Sequence, residues 1–125
     1  LPVHPALEAT RRLNAEGRSV GLIDMATIKP LDRDAVLRAA ARSRILMTAE
    51  EHNVLGGLGS AVAEVLADEG CGVRLIRHGI HDEYSLIAPP THLYAHYKLD
   101  APGIEAVARE VMGKHPAKAT EWRRS

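Results

Sequence analysis

Glu50, Glu51 and His52 lie side by side and are followed by Gly56, Gly57 and Gly59, so two acids and an imidazole meet a glycine-rich turn. An apolar run, Ile45-Leu46-Met47, leads into them, and a helical pattern follows from Ser60. In an open parallel sheet, ligands bind beyond the carboxyl ends of the strands. A helix starting there turns its first backbone amides toward the same space, which suits an anion. On that reading Glu51, His52, Gly56, Gly57, Gly59 and Ser60 form a candidate interface or anion-binding segment, with His52 as acid or base. The competing reading is structural. The glycines permit a tight turn and a close approach to a neighbouring strand or subunit, and adjacent carboxylates repel an anion. Gly56-Gly57-Leu58-Gly59 matches neither the dinucleotide fingerprint nor the phosphate loop with its lysine, which favours the structural reading. Glu50 and Glu51 make a weak catalytic pair, because neighbours on an extended segment point to opposite sides.

Other chemistry-bearing residues are less persuasive. His78 and His81 are three apart, and His92 and His96 are four apart and would share a face if that segment is helical, spacings that invite a metal hypothesis. Asp82 and Glu83 are close by, but neither pair has a cysteine partner, and such histidines commonly serve as hydrogen-bonding groups. The expectation is therefore no metal site. Lys29-Pro30-Leu31-Asp32 reads as a fixed turn ending in a helix cap. Cys71 has only Arg74 as a nearby cation, which predicts a buried or inert thiol.

The elements that position these residues alternate in type. Helices are predicted over Pro5–Glu16, with Ala6, Ala9 or Thr10, and Leu13 inward, and over Arg33–Arg42, with Val36, Ala39 and Ala40 inward. A third runs over Ser60–Glu69, burying Ala61, Val62, Val65 and Leu66. Ile104, Val107, Ala108 and Val111 mark the clearest amphipathic helix, and His92–Tyr97 allows a turn or two. Strands are predicted at Val20–Met25, Ile45–Thr48 and Val73–Ile76, with a loop from His78 to Thr91. This alternation implies parallel strands with right-handed crossovers, and so a three-layer α/β/α sandwich with a mostly parallel sheet. Residues 1–113 read as one domain and residues 114–125 as a polar tail with Trp122 as its anchor candidate.

Composition narrows the classes. Sixteen basic and sixteen acidic residues cancel, leaving no footprint for nucleic acid or an anionic membrane among the partners. No apolar run reaches the roughly eighteen residues of a membrane span. One cysteine excludes an internal disulfide, and no secretory signal is visible, so a cytoplasmic location is expected. With no phenylalanine, the core must be built from Ala, Val, Leu and Ile. The chain starts at Leu1 with a helical pattern and no strand before it, so the expectation is a domain whose first strand is missing.

Val20 to Asp32, the Thr48-Ala49-Glu50-Glu51-His52-Asn53 turn, Gly56 to Glu64 and Gly79-Ile80-His81-Asp82-Glu83 closely resemble the C-terminal domain of transketolases. The broader family includes deoxyxylulose-phosphate synthase and the β subunits of 2-oxo-acid dehydrogenases. The resemblance spans residues 3–113 in order and spacing, and Leu99 to Ile104 looks like the family's last-helix start. Three departures are visible: no strand precedes His4, Lys98 stands where a glycine is common, and the Ser85–His92 loop with Pro89-Pro90 lacks a frequent glycine.

The resemblance implies part of an enzyme that moves two-carbon ketol units between sugar phosphates. Thiamine diphosphate and magnesium would sit on partner domains, the diphosphate- and pyrimidine-binding N-terminal domains or subunit, and not on this chain. The implied role is structural, at the interface of a dimer or other homo- or hetero-oligomer, with no catalytic residue carried here. The alternative from the residues themselves is a non-enzymatic assembly or regulatory module that binds a small anion at the Gly56–Ser60 helix start.

Overall fold

The computed structural model describes residues 3–26, 29–53, 56–80 and 88–113, except for the side chains of residues 52 and 53. Its elements follow as α1 (Val3–Ala15), α2 (Arg33–Arg42), β1 (Ile45–Asn53), α3 (Leu58–Asp68), β2 (Arg74–Ile80), α4 (Pro90–His96) and α5 (Ala101–Gly113). β1 and β2 pair in parallel, with Leu46 beside Leu75 and Ala49 beside His78, and the register shifts between Ala49 and Asn53.

Alternation along β1 builds the layers. Leu46 and Leu75 lean on a core of Val36, Val62, Val65 and Leu66 contributed by α2 and α3. Met47, one residue on, points the other way and packs on Ala6, Ala9 and Ile104 of α1 and α5. The sheet is thus covered on both sides, the α/β/α arrangement predicted. Small side chains at Ala6 and Ala9 let α1 lie close to α5, and Leu13 is almost wholly buried at 1% exposure. Burying such a leucine contributes about 1.5–3 kcal/mol. Across the outer edge of that helix pair, Arg109 holds Glu16 of the α1 terminus and Glu105 of its own helix, while Arg12 pairs with Glu8.

Helix limits follow local chemistry. The Asp32 carboxylate accepts from the Ala35 amide at 3.0 Å and caps α2, as expected. Asp100 does the same for Gly103 at 2.9 Å and starts α5. Three helices end in one motif, in which the residue after the cap takes a left-handed conformation. Gly17 follows α1 with φ 88° and Gly70 follows α3 with φ 65°. After α4 the position belongs to Lys98, with φ 57°. There the Leu99 amide donates to Tyr94 O at 2.7 Å and the Lys98 amide to Ala95 O at 3.1 Å.

Three expectations change, one being that His78 to Ile80 belong to β2 and not to a loop. Val20–Met25 is not a strand: Val20 exchanges both of its backbone hydrogen bonds with the Asn14 side-chain amide, each at 2.9 Å, and joins no ladder. A strand exists only through pairing, and this segment has no neighbour among the described residues, so Leu22 and Ile23 are left 42% and 51% exposed. The described sheet therefore has two strands instead of three. β1 also runs to Asn53, which puts Glu50, Glu51 and His52 within the strand and not in the turn. The predicted tail, 114–125 with Trp122, lies outside the described residues, as do His81, Asp82 and Glu83.

Candidate functional site

The carboxyl end of β1 meets the start of α3, and the strand's pleat decides what each acid does. Glu50 shares a face with Leu46 and Thr48 and turns toward α3. Its carboxylate is buried, at 6% exposure, and accepts from the Leu58 amide at 2.9 Å and the Gly59 amide at 2.8 Å. The cap residue, Gly57, has no side chain to satisfy these first amides, so the neighbouring strand supplies the acceptor. A full negative charge on the positive end of the helix dipole strengthens both bonds.

Gly59 lets that helix start sit tight on the sheet. A Cβ there would lie 2.8 Å from Arg77 Cγ and 3.0 Å from Thr48 Oγ1. Thr48 is buried and its hydroxyl has no hydrogen-bond partner among the described residues. Just before the helix, the Ser60 hydroxyl accepts from the Gly56 amide at 2.9 Å and closes the turn. Gly56, Gly57, Gly59 and Ser60 are therefore brought together, with Glu50, a residue outside the predicted set, at their centre.

Glu51 faces the other way, as its position next to Glu50 predicts. It accepts a hydrogen bond from the Tyr94 hydroxyl of α4. That carboxylate and partial burial hold the phenol above its ordinary pKa, because ionisation would place two negative charges together. On β2, the His78 ring meets the Lys98 carbonyl at 2.6 Å, which makes Nε2 the protonated, donating nitrogen. His52 is within β1, and its side chain lies outside the described residues.

The remaining candidates disperse. His92 and His96 are both on α4, where the His96 ring meets Tyr97 edge-on at 4.8 Å. Among the described residues no group of three His, Cys, Asp or Glu side chains could hold a metal ion. Cys71 is a half-buried free thiol packed against the α2–α3 core. The sequence did not single out Tyr94, whose partner is 43 residues away, nor the pairing of the Lys98 carbonyl with His78, 20 residues away.

Chemically, this arrangement ties strand ends to helix starts. Two of the α3 amides that would cradle a phosphate already hold a carboxylate, which repels a further anion.

The profile of the family "Transketolase, C-terminal domain" matches residues 1–104, and the chain belongs to that family. It is 43% identical over 120 residues to a 1-deoxy-D-xylulose-5-phosphate synthase 1 of Geobacter sulfurreducens, covering 95% of this chain and 19% of the relative. To a 1-deoxy-D-xylulose-5-phosphate synthase of Syntrophotalea carbinolica it is 44% identical over 107 residues, covering 86% of this chain and 17% of that protein. Among solved structures it is similar to a split gene transketolase described as an inactive beta4 tetramer, with a TM-score of 0.79 and 38% identity. That match covers 87% of this chain and 35% of the other. The chain thus spans less than a fifth of the length of these two curated relatives.

Proposed function

We propose that this chain is the C-terminal structural and interface portion of a transketolase-like enzyme that transfers two-carbon ketol units between sugar phosphates, and that it is not catalytic alone. The observation that carries this reading is the family match over residues 1–104 of a chain that corresponds to under a fifth of larger enzymes. The local geometry agrees with it. The Glu50 carboxylate accepts from the α3 amides and the Glu51 carboxylate from the Tyr94 hydroxyl, contacts that hold the fold together.

Thiamine diphosphate and magnesium fall to partner domains. At the α3 start the described residues do not suit a diphosphate, which would meet the Glu50 carboxylate. The partners are the diphosphate- and pyrimidine-binding domains or subunit, in a dimer or higher oligomer in the cytoplasm. No described helix is long and apolar enough to cross a membrane. A small-anion module at Gly56–Ser60 is the weaker reading, because the ligand would have to displace a buried carboxylate.

The test is reconstitution. The purified chain with thiamine diphosphate and magnesium should show no ketol transfer and no synthesis of deoxyxylulose phosphate, and adding the polypeptide bearing the other domains should produce one of the two. Turnover by these 125 residues alone would overturn the proposal.

A further inference from the structure

The chain changes sides between α1 and α2. α1 lies with α5 on the face of the sheet that carries Met47, whereas α2 and α3 cover the face of Leu46 and Leu75. The link between them crosses the layer of the sheet, and Met25 rests against the α2–α3 core on the way. Residues 21–26 nevertheless form no hydrogen bond with any described residue. Leu22 and Ile23 are left 42% and 51% exposed. Among the described residues β1, for its part, is paired along one edge only, by β2.

Handedness says what belongs beside them. Parallel strands joined through a helix cross over right-handedly in nearly all proteins. α2 and α3 lie on one face, so the steps from residues 20–26 to β1 and from β1 to β2 run in the same direction. Residues 20–26 therefore fall on the side of β1 away from β2. α1 lies on the opposite face, so the step through α1 runs the opposite way. A strand leading into α1 is thus parallel to β1 and on the β1 side of residues 20–26. The open place on that side is the gap between the two, since residues 20–26 do not pair with β1.

We propose that an apolar strand outside residues 1–125, leading into α1, inserts between residues 20–26 and β1 and joins them into one continuous parallel sheet. The inference rests on the reading of this chain as part of a larger enzyme. The curated relatives, of which it spans less than a fifth, have polypeptide to supply the strand. Buried on both faces and paired on both edges, such a strand is a run of residues like Val, Ile, Leu and Ala. Its backbone takes up the amides and carbonyls of residues 21–26 and the outer edge of β1, and its side chains cover Leu22 and Ile23. The contact this chain offers the rest of the enzyme is then a slot within its own sheet.

Amide hydrogen exchange tests this, comparing residues 1–125 alone with the full natural polypeptide that contains them, each at two protein concentrations. Residues 21–26 should exchange roughly tenfold or more slowly in the full polypeptide, and the residues leading into α1 should be protected together with them. Leu22→Ser combined with Ile23→Ser should hardly move the melting midpoint of residues 1–125 but lower that of the full polypeptide by roughly 4 °C or more. Equally fast exchange of residues 21–26 in both would overturn the proposal, as would a natural polypeptide that starts at Leu1. Protection of residues 21–26 without protection ahead of α1 would also sink it. So would protection in residues 1–125 alone that rises with concentration, because a second copy would then be the occupant. Exchange is read without substrate or coenzyme, so an unfilled slot and a failure to reconstitute activity are separate results.

Discussion

Replacing Glu50 by glutamine should be among the most damaging single-atom changes available to this domain. The carboxylate gives one oxygen to the Leu58 amide and the other to the Gly59 amide, at 2.9 and 2.8 Å. Glutamine keeps one carbonyl oxygen and turns an NH₂ group toward the second amide, so two donors face each other. One bond is lost, a buried amide is orphaned at about 1–3 kcal/mol, and the surviving bond drops from charge-assisted to neutral. The helix dipole also loses its counter-charge, worth about 0.3–1 kcal/mol. Against this, a buried neutral amide is easier to desolvate than a carboxylate, which returns part of the loss. The net expectation is about 2–4 kcal/mol of destabilisation. For a chain of this size each kcal/mol lowers the melting midpoint by about 4 °C, so the variant should melt roughly 8–15 °C lower. Thermal unfolding followed by far-UV circular dichroism, checked by urea titration, gives the measurement. A midpoint within about 2 °C of wild type would refute the reasoning, because the α3 amides would then have another acceptor.

Lys98→Gly should stabilise the fold by about 0.5–1 kcal/mol in urea titration. The left-handed conformation costs a non-glycine residue about 1–2 kcal/mol, and glycine's greater freedom in the unfolded chain cancels only part of that gain. A loss of stability would mean that the lysine side chain makes a contact outweighing the strain. Arg109→Met should lower the melting midpoint at neutral pH and low salt, with the difference fading as the solution is acidified. Arg109 holds the Glu16 and Glu105 carboxyls below their ordinary 4.5. Depressed carboxyls contribute stability above the unfolded pKa and lose it as pH falls through the folded one, so the two melting curves should converge below about 4.5. A gap that persists at low pH would assign the role of Arg109 to packing instead.

Much of this protein is legible without coordinates. Apolar spacing placed Ala6, Ala9 and Leu13 on the buried face of α1, and Val62, Val65 and Leu66 on that of α3, because helix geometry alone brings such positions to one side. Gly17, Asp32 and Gly70 mark helix ends through chemistry confined to a few neighbouring residues. The α/β/α order and the opposed directions of Glu50 and Glu51 likewise follow from repeat lengths of the backbone. Contacts between distant segments carry no such local trace. Val20–Met25 has the residues of a strand, but pairing requires a neighbour, and Asn14 took the place of one at Val20. Whether Glu50 would meet a ligand or the amides of Leu58 and Gly59 depended on how closely α3 could approach β1. That distance is set by Gly59 against Thr48 and Arg77, three residues that only the folded chain brings together.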